Sequence, residues 1–167
     1  PDTREMAFAA PNETGRDYHS TALLLPDGRV MTMGSDPLYG NADDTTPGRF
    51  DTGIEIYTPP YLETGTPRPV IDHAPAAVQR GTTFAVHATA QHRIVKARLM
   101  RPSAVTHQTD SEQRSVALDI TDHCPTGRAG DRSGDCCSGG CDLQLSLGKR
   151  EGLTPSGPYM LVLVDDR

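Results

Sequence analysis

Tyr18 and His19 are adjacent residues whose side chains can bind a metal, and they stand directly before an apolar segment, Leu23–Leu25, that is typical of a β-strand. Because neighbouring residues of a strand point to opposite faces, the two side chains cannot both fill one core. Either one of them is a surface residue, or the backbone is irregular at this point and both side chains serve one site. The pair is therefore a candidate metal site.

A second group with metal-binding or redox chemistry is a Gly- and Asp-rich insert at 122–142, which holds all four cysteines of the chain. These are Cys124, Cys136, Cys137 and Cys141. Two disulfides would stabilise a loop that has no core of its own. The adjacent pair cannot readily bond to itself, which leaves Cys124–Cys136 with Cys137–Cys141, or Cys124–Cys137 with Cys136–Cys141. A zinc site using His123 competes, although the paired C-x₂-C spacing is absent, and no calcium loop is recognisable.

Charge and hydropathy exclude two classes of partner. The net charge is −6 and the isoelectric point is about 5.4, which argues against a nucleic-acid or anionic-membrane surface. No segment approaches the roughly 18 consecutive apolar residues of a membrane span. The sequence thus predicts no nucleic-acid partner and no membrane span.

The elements that must position these residues are predicted to be β-strands, because turn residues are frequent and no amphipathic helix is present. Asp27-Gly28 lies between two β-prone runs and predicts a hairpin. Residues 35–51 are turn-rich and predict a long loop. The following strand, "TGIEIYTPPYL", ends at Pro59-Pro60.

After about Pro67 the strands recur every eight to twelve residues, which is typical of an immunoglobulin-like β-sandwich. The clearest are Thr83–Thr89, Ile94–Met100 and Ser115–Ile120. "DLQLSL" follows as a strand, and "GPYMLVLVDD" follows as a largely buried strand. The strands before residue 60 are too few to close a core, and one more sandwich strand would be expected after Arg167. The sequence therefore predicts a part of a larger assembly.

Four ordered motifs resemble the C-terminal part of the galactose oxidase / glyoxal oxidase family of copper-radical oxidases, and the bacterial glyoxal-oxidase-like branch is the most similar. They are "YHSTALLLPDGRV", "IEIYTPPYL", "RLMRPSAVTHQTDSEQRSVAL" and "SGPYMLVLVDD". The resemblance implies an all-β chain in which residues 1–62 are the last strands of a seven-bladed kelch propeller. Residues 63–167 would then form an immunoglobulin-like domain that carries the Cys-rich insert.

The resemblance also implies a mononuclear copper site. By the family's pattern, Tyr18 is the axial ligand and accepts the substrate's hydroxyl proton, and His19 is an equatorial ligand. A loop of the C-terminal domain supplies a second equatorial ligand, His107. The family's radical cofactor, a tyrosine cross-linked to a cysteine, has no match here and is expected from sequence outside this chain.

Three charged residues after His107 are candidates for supporting its loop through hydrogen bonds or an ion pair, although a solvated hairpin tip fits them equally well. They are Asp110, Glu112 and Arg114. The remaining histidines match no motif and are predicted to be surface or packing residues. They are His73, His87, His92 and His123.

The function that the resemblance implies is oxidation of a primary alcohol or aldehyde with reduction of O₂ to H₂O₂, in an extracellular or cell-surface location. Partners would be the remaining propeller blades, a small alcohol or aldehyde, and O₂. The chain alone is predicted to be inactive, because the radical half of the site is missing. A non-catalytic extracellular scaffold or glycan-binding module is the alternative, and a nicked enzyme whose two chains stay associated would show the same chemistry.

Overall fold

The fold was analysed in a computed structural model, which describes residues 8–16, 19–34, 52–106, 109–123 and 140–166. The described residues contain β-strands and one short 3-10 helix, and none of them is in an α-helix. The prediction of an all-β chain is confirmed for these residues. None of the described helices is long and apolar enough to cross a membrane.

The chain divides into two compact units. The first comprises Pro1–Leu62 with Val105–Ser111, and the second comprises Glu63–Ala104 with Glu112–Arg167. The segment that contains position 107 thus groups with the N-terminal unit, although the chain on both sides of it belongs to the second unit.

The described residues of the first unit form a three-stranded antiparallel sheet and a separate two-stranded hairpin. They comprise β1 (Thr21–Leu24), β2 (Val30–Met33), β3 (Ile54–Tyr57), a 3-10 helix (Pro60–Leu62), β7 (Val105–Thr106) and β8 (Thr109–Asp110). The sheet order is β1-β2-β3, and β7 pairs with β8.

The predicted hairpin at Asp27-Gly28 is confirmed. Gly28 has φ 86°, its N–H donates to the Leu25 carbonyl at 2.9 Å, and the Leu25 N–H donates to the Arg29 carbonyl at 2.8 Å. A left-handed φ at this position favours glycine because a Cβ would be strained there. The predicted end of β3 at the two prolines is also confirmed, since Pro60 begins the 3-10 helix.

The second unit is built on six antiparallel strands in the order β11-β6-β9-β10-β5-β4. They are β4 (Val70–His73), β5 (Thr83–Thr89), β6 (Ile94–Met100), β9 (Ser115–His123), β10 (Cys141–Ser146) and β11 (Met160–Asp165). The predicted bounds of β5 and β6 are correct. Strand β9 runs past the predicted end at Ile120, and β9 and β10 extend into both ends of the predicted insert.

Strand β9 joins the two halves of this sheet. Ser115–Leu118 pair with β6, and Asp119–His123 pair with β10. The register shifts between Gln144 and Leu145, where the Thr121 hydroxyl donates to the Gln144 carbonyl at 3.2 Å. A bulge bends a strand and increases its twist, and a strand that changes sheet at a bend is a recurrent device of sandwich folds.

The hydrophobic core of the described residues lies in the second unit. Ile94, Leu143, Leu145 and Val86 are fully buried, and each contributes roughly 1.5–3 kcal/mol through burial. Alternate residues of β10 are buried, as expected for a strand with one face on the core. Strand β11 is predicted to be largely buried, and Met160–Leu163 are half-buried. Leu161 and Leu163 pack against the core, whereas Val164 is exposed.

Candidate metal centre and the residues around it

His19 lies at an irregular corner immediately before β1. Its φ is 63°, which places a non-glycine residue in the left-handed region, and the residue is exposed. Such a conformation is uncommon for a residue with a Cβ and is often found at functional sites. Of the three predicted ligands, only His19 is among the described residues, since Tyr18 and His107 lie outside them.

Gly34 packs against this corner from the end of β2. Its φ is 76°, and a Cβ added there would lie 2.7 Å from the carbonyl oxygen of His19. Real Cβ atoms essentially never approach a backbone atom so closely, so a side chain could fit only if the His19 backbone moved. The backbone positions of Gly34 and His19 are therefore mutually dependent.

Arg16 holds the chain just before the Tyr18-His19 pair. Its side chain is only 4% exposed. One terminal nitrogen, Nη1, donates to the Gly34 carbonyl at 3.0 Å, and the other, Nη2, donates to the Gly53 carbonyl at 3.1 Å. Nη2 also lies 3.6 Å from the Glu55 carboxylate, whose Oε1 accepts a hydrogen bond from the Thr14 backbone at 2.9 Å.

A cavity of about 440 Å³ opens in the first unit beside this corner. Ser20 and Thr21 line it from the chain that follows His19, and Arg16 and Thr32 contribute to its wall. Val105 and Asp110, which face each other in the β7–β8 hairpin, line it as well. The two segments that flank predicted copper ligands, one at position 19 and one at position 107, thus meet at one cavity.

Three buried polar atoms of the cavity wall find no hydrogen-bond partner among the described residues. They are Arg16 Nε, Thr21 Oγ1 and Thr32 Oγ1. A buried polar group without a partner is unfavourable, so the wall is suited to polar content such as water or a polar group of a neighbouring segment.

The base of the β7–β8 hairpin is closed by an ion pair between Arg101 and Glu112. The Arg101 N–H also donates to the Arg114 carbonyl at 3.1 Å. The Arg114 guanidinium donates to the Gly152 carbonyl at 3.1 Å. Glu112 and Arg114 thus contact residues of the second unit, to which they belong, whereas Asp110 lines the cavity in the first unit.

Arg101 is further fixed by Tyr159. The guanidinium carbon lies 5.6 Å from the centre of the Tyr159 ring, within the range of a cation–π interaction. The Tyr159 hydroxyl donates to the Pro155 carbonyl at 2.9 Å, which resembles the tyrosine corner of immunoglobulin-like sandwiches. No local sequence signal indicates these contacts of Arg101 and Tyr159, because their partners lie 11 to 58 residues away or in a turn without a motif.

The remaining histidines lie away from the His19 corner in the sequence. His73 and His87 are exposed, and His92 is half-buried. His87 Nδ1 lies 2.8 Å from Asp142 Oδ1 across neighbouring strands.

Cys141 is 2% exposed in the core, while Cys124, Cys136 and Cys137 lie outside the described residues, so the disulfide pairing stays a prediction. Within the described ranges, no three His, Cys, Asp or Glu residues come together as a metal site.

The chain is similar in sequence to proteins of one known family. Residues 68–167 match the family described as "Galactose oxidase-like, Early set domain". An "Aldehyde oxidase GLOX" from Vitis pseudoreticulata is 37% identical over 123 residues, which is 69% of this chain and 23% of the relative. A "Galactose oxidase" from Gibberella zeae is 35% identical over 118 residues, 68% of this chain and 16% of the relative. An "Aldehyde oxidase GLOX1" from Arabidopsis thaliana is 33% identical over 167 residues, 93% of this chain and 25% of the relative.

The strand order and the matched residues define a β-sandwich-like early set domain, preceded by a small three-stranded sheet. The chain belongs to the galactose oxidase / glyoxal oxidase family. It spans a quarter or less of the length of the relatives described above.

Proposed function

We propose that this chain is the C-terminal segment of a copper-radical oxidase that converts a primary alcohol or aldehyde with O₂ into the oxidised product and H₂O₂. In this reaction the substrate gives up two electrons and two protons, and O₂ takes up both. The observation that carries the proposal is the cavity where Ser20 and Thr21, next to His19, meet Val105 and Asp110, which flank the predicted ligand His107. Two distant segments that resemble copper-binding segments of the family are adjacent there.

The donor set fits copper. Tyr18, His19 and His107 would hold the ion, since imidazole nitrogens and a phenolate oxygen suit Cu(II) in tetragonal surroundings. The left-handed corner at His19 leaves its imidazole exposed rather than packed in a core. Bound copper would supply Lewis acidity and one-electron chemistry. Tyr18 would accept the hydroxyl proton of the substrate as a general base.

The remaining blades of a kelch propeller are the proposed partner of the first unit, whether they lie upstream in the same polypeptide or in a second chain. Ile54 and Ile56 are 59% and 43% exposed on one face of β3. Met33 and Met31 are their register partners on β2, so the apolar face extends across two strands. A three-stranded sheet with such a face needs a packing partner. The cross-linked tyrosine and cysteine would come from those blades, and the chain by itself would be inactive.

An extracellular or cell-surface location accompanies this proposal. We propose that Cys141 is held in one of the two disulfide pairings given above, which requires an oxidising compartment. Its near-complete burial at the start of β10 would anchor the insert to the core. Mass spectrometry of the non-reduced, proteolysed protein would identify the bonded pairs.

The experiment that tests the oxidase function measures copper content, the EPR spectrum and H₂O₂ production in the full-length protein. We expect one tetragonal Cu(II) per molecule, and we expect His19→Ala and His107→Ala to abolish it. His73→Ala is the matched control, because His73 is exposed on β4 in the second unit. Wild-type protein without bound copper, or a spectrum unchanged by both variants, would refute the proposed site and favour a scaffold or glycan-binding module.

A further inference from the structure

The contacts of Arg16 form a connected path to the backbone of His19. The Arg16 guanidinium binds the Gly34 carbonyl, and Gly34 in turn lies so close to the His19 carbonyl that only a glycine fits. Arg16 is also two residues before Tyr18 in the chain. The His19 corner is thus tied to the Arg16 side chain through Gly34.

Arg16 also connects the two ends of the long connection between β2 and β3. Gly34 follows the last residue of β2, and Gly53 precedes the first residue of β3. The two terminal nitrogens of one guanidinium donate to the carbonyls of these two glycines. Arg16 therefore links the end of β2 to the start of β3 behind the His19 corner.

The chemistry of the guanidinium suits this role better than that of any other side chain. It is planar and always charged, and it presents donors in a rigid fork, whereas the lysine ammonium is a compact point charge on a flexible stem. Glu55, 24% exposed, lies beside it and balances the charge of the buried group. A buried charge that is paired and hydrogen-bonded in this way gives a fixed geometry.

We propose that Arg16 is a positioning residue for the metal site, which holds the His19 corner in its ligand geometry through Gly34. This inference rests on the proposed function for the identity of the metal, but the backbone path from Arg16 to His19 does not depend on it. Arg16 would not touch copper or substrate. It would set the position of the His19 imidazole.

The test compares Arg16→Lys and Arg16→Gln in the full-length protein with Arg29→Lys and Arg29→Gln. Arg29 lies in the same unit, at the β1–β2 turn, and its exposed guanidinium binds the neighbouring carboxylate of Asp27. With added Cu²⁺, the dissociation constant for Cu²⁺ and the EPR spectrum of the bound ion are measured. In the metal-free protein, amide hydrogen exchange at residues 19–22 is measured.

We expect Arg16→Gln to weaken Cu²⁺ binding about 10-fold or more, to shift the EPR spectrum, and to speed amide exchange at 19–22. Arg16→Lys keeps the charge beside Glu55 and should rescue part of each effect. Both Arg29 variants should match the wild type. If Arg16→Gln does not fold, Arg16→Lys, for which a smaller effect is expected, is compared with Arg29→Lys instead.

If the folded Arg16 variants keep the copper affinity and the EPR spectrum of the wild type, the positioning role is refuted. A wild-type protein that binds no Cu²⁺ would instead overturn the proposed function. In that case, amide hydrogen exchange in the metal-free protein still tests whether Arg16 positions the His19 corner. Faster exchange at 19–22 in the Arg16 variants than in the Arg29 variants would support the positioning of the corner, and equal exchange would refute it.

Discussion

The guanidinium of Arg101 and the carboxylate of Glu112 meet across the base of the hairpin that contains position 107. Their side chains are 16% and 35% exposed, so the pair is partly shielded from water, and Arg101 also lies over the Tyr159 ring. The pair thereby joins the two segments of the second unit that precede and follow residues 105–111.

Arg101→Met and Glu112→Gln, combined in a double-mutant cycle, should show a coupling free energy of at least about 0.5 kcal/mol. The single Arg101 change should lower the free energy of unfolding by about 1–3 kcal/mol, because it removes the ion pair and the contact with Tyr159. Urea denaturation followed by circular dichroism measures both. The exposed pair Asp27–Arg29, at 42% and 45% exposure, is the control and should give only about 0–1 kcal/mol. Equal coupling in the two cycles would contradict the structural role of the Arg101 pair.

Gly34→Ala should be far more harmful than Gly65→Ala. The two glycines have similar φ values of 76° and 72°, but an added Cβ would meet the His19 carbonyl at 2.7 Å in the first case and open space in the second. Both substitutions carry the cost of a left-handed alanine, roughly 1 kcal/mol, and only Gly34→Ala adds the steric conflict. Thermal unfolding of the two variants provides the comparison. Similar melting temperatures would show that the close approach of Gly34 to His19 is not a constraint.

Leu143→Ala should lower the free energy of unfolding by about 2–5 kcal/mol, because it leaves a cavity in the core. Leu143 is fully buried and faces Val86 of β5 in the register. Gln144→Ala, one residue along β10 on the opposite face, is the matched control and should change stability by less than about 0.5 kcal/mol. Its backbone carbonyl, which binds Thr121, is retained. Chemical denaturation with near-UV circular dichroism measures both variants, and comparable losses would place Leu143 outside the core.

Tyr159→Phe should lower the free energy of unfolding by about 1 kcal/mol, since it deletes the hydrogen bond to the Pro155 carbonyl but keeps the ring beneath Arg101. Tyr159→Leu removes both contacts and should cost more. Guanidinium denaturation of the two variants separates the hydroxyl from the ring. If the two losses are equal, the ring contact with Arg101 contributes nothing measurable.

The sequence was sufficient to predict the elements whose signals are local. The hairpin at Asp27-Gly28 follows from a residue type that tolerates a left-handed φ, and β5 and β6 follow from alternating hydrophobicity. The apolar run of β11 predicted a largely buried strand, and most of its residues are half-buried, but the sequence did not predict its place at one end of the six-stranded order. The position of β11 in the sheet depends on its pairing with β6, and no local sequence pattern indicates which strands pair.

The supporting residues of the candidate site were beyond prediction for the same reason. Arg16 reaches partners 18, 37 and 39 residues further along the chain at Gly34, Gly53 and Glu55. An isolated arginine before a strand has no sequence signature for such contacts. His19, by contrast, is a candidate because it stands beside Tyr18 in a recognisable motif, and its left-handed backbone is compatible with one of the two alternatives that the adjacent pair left open.

The placement of β9 between β6 and β10 has a kinetic consequence. Pairing with β6 joins neighbouring parts of the chain, whereas β10 must also pair with β5, whose His87 is 55 residues from its partner Asp142. Closing so long a segment costs chain entropy before any contact is gained, and proteins dominated by non-local strand pairing fold in about milliseconds to seconds. We therefore expect the pairing of β6 with β9 to form earlier in folding than the pairing of β10 with β5.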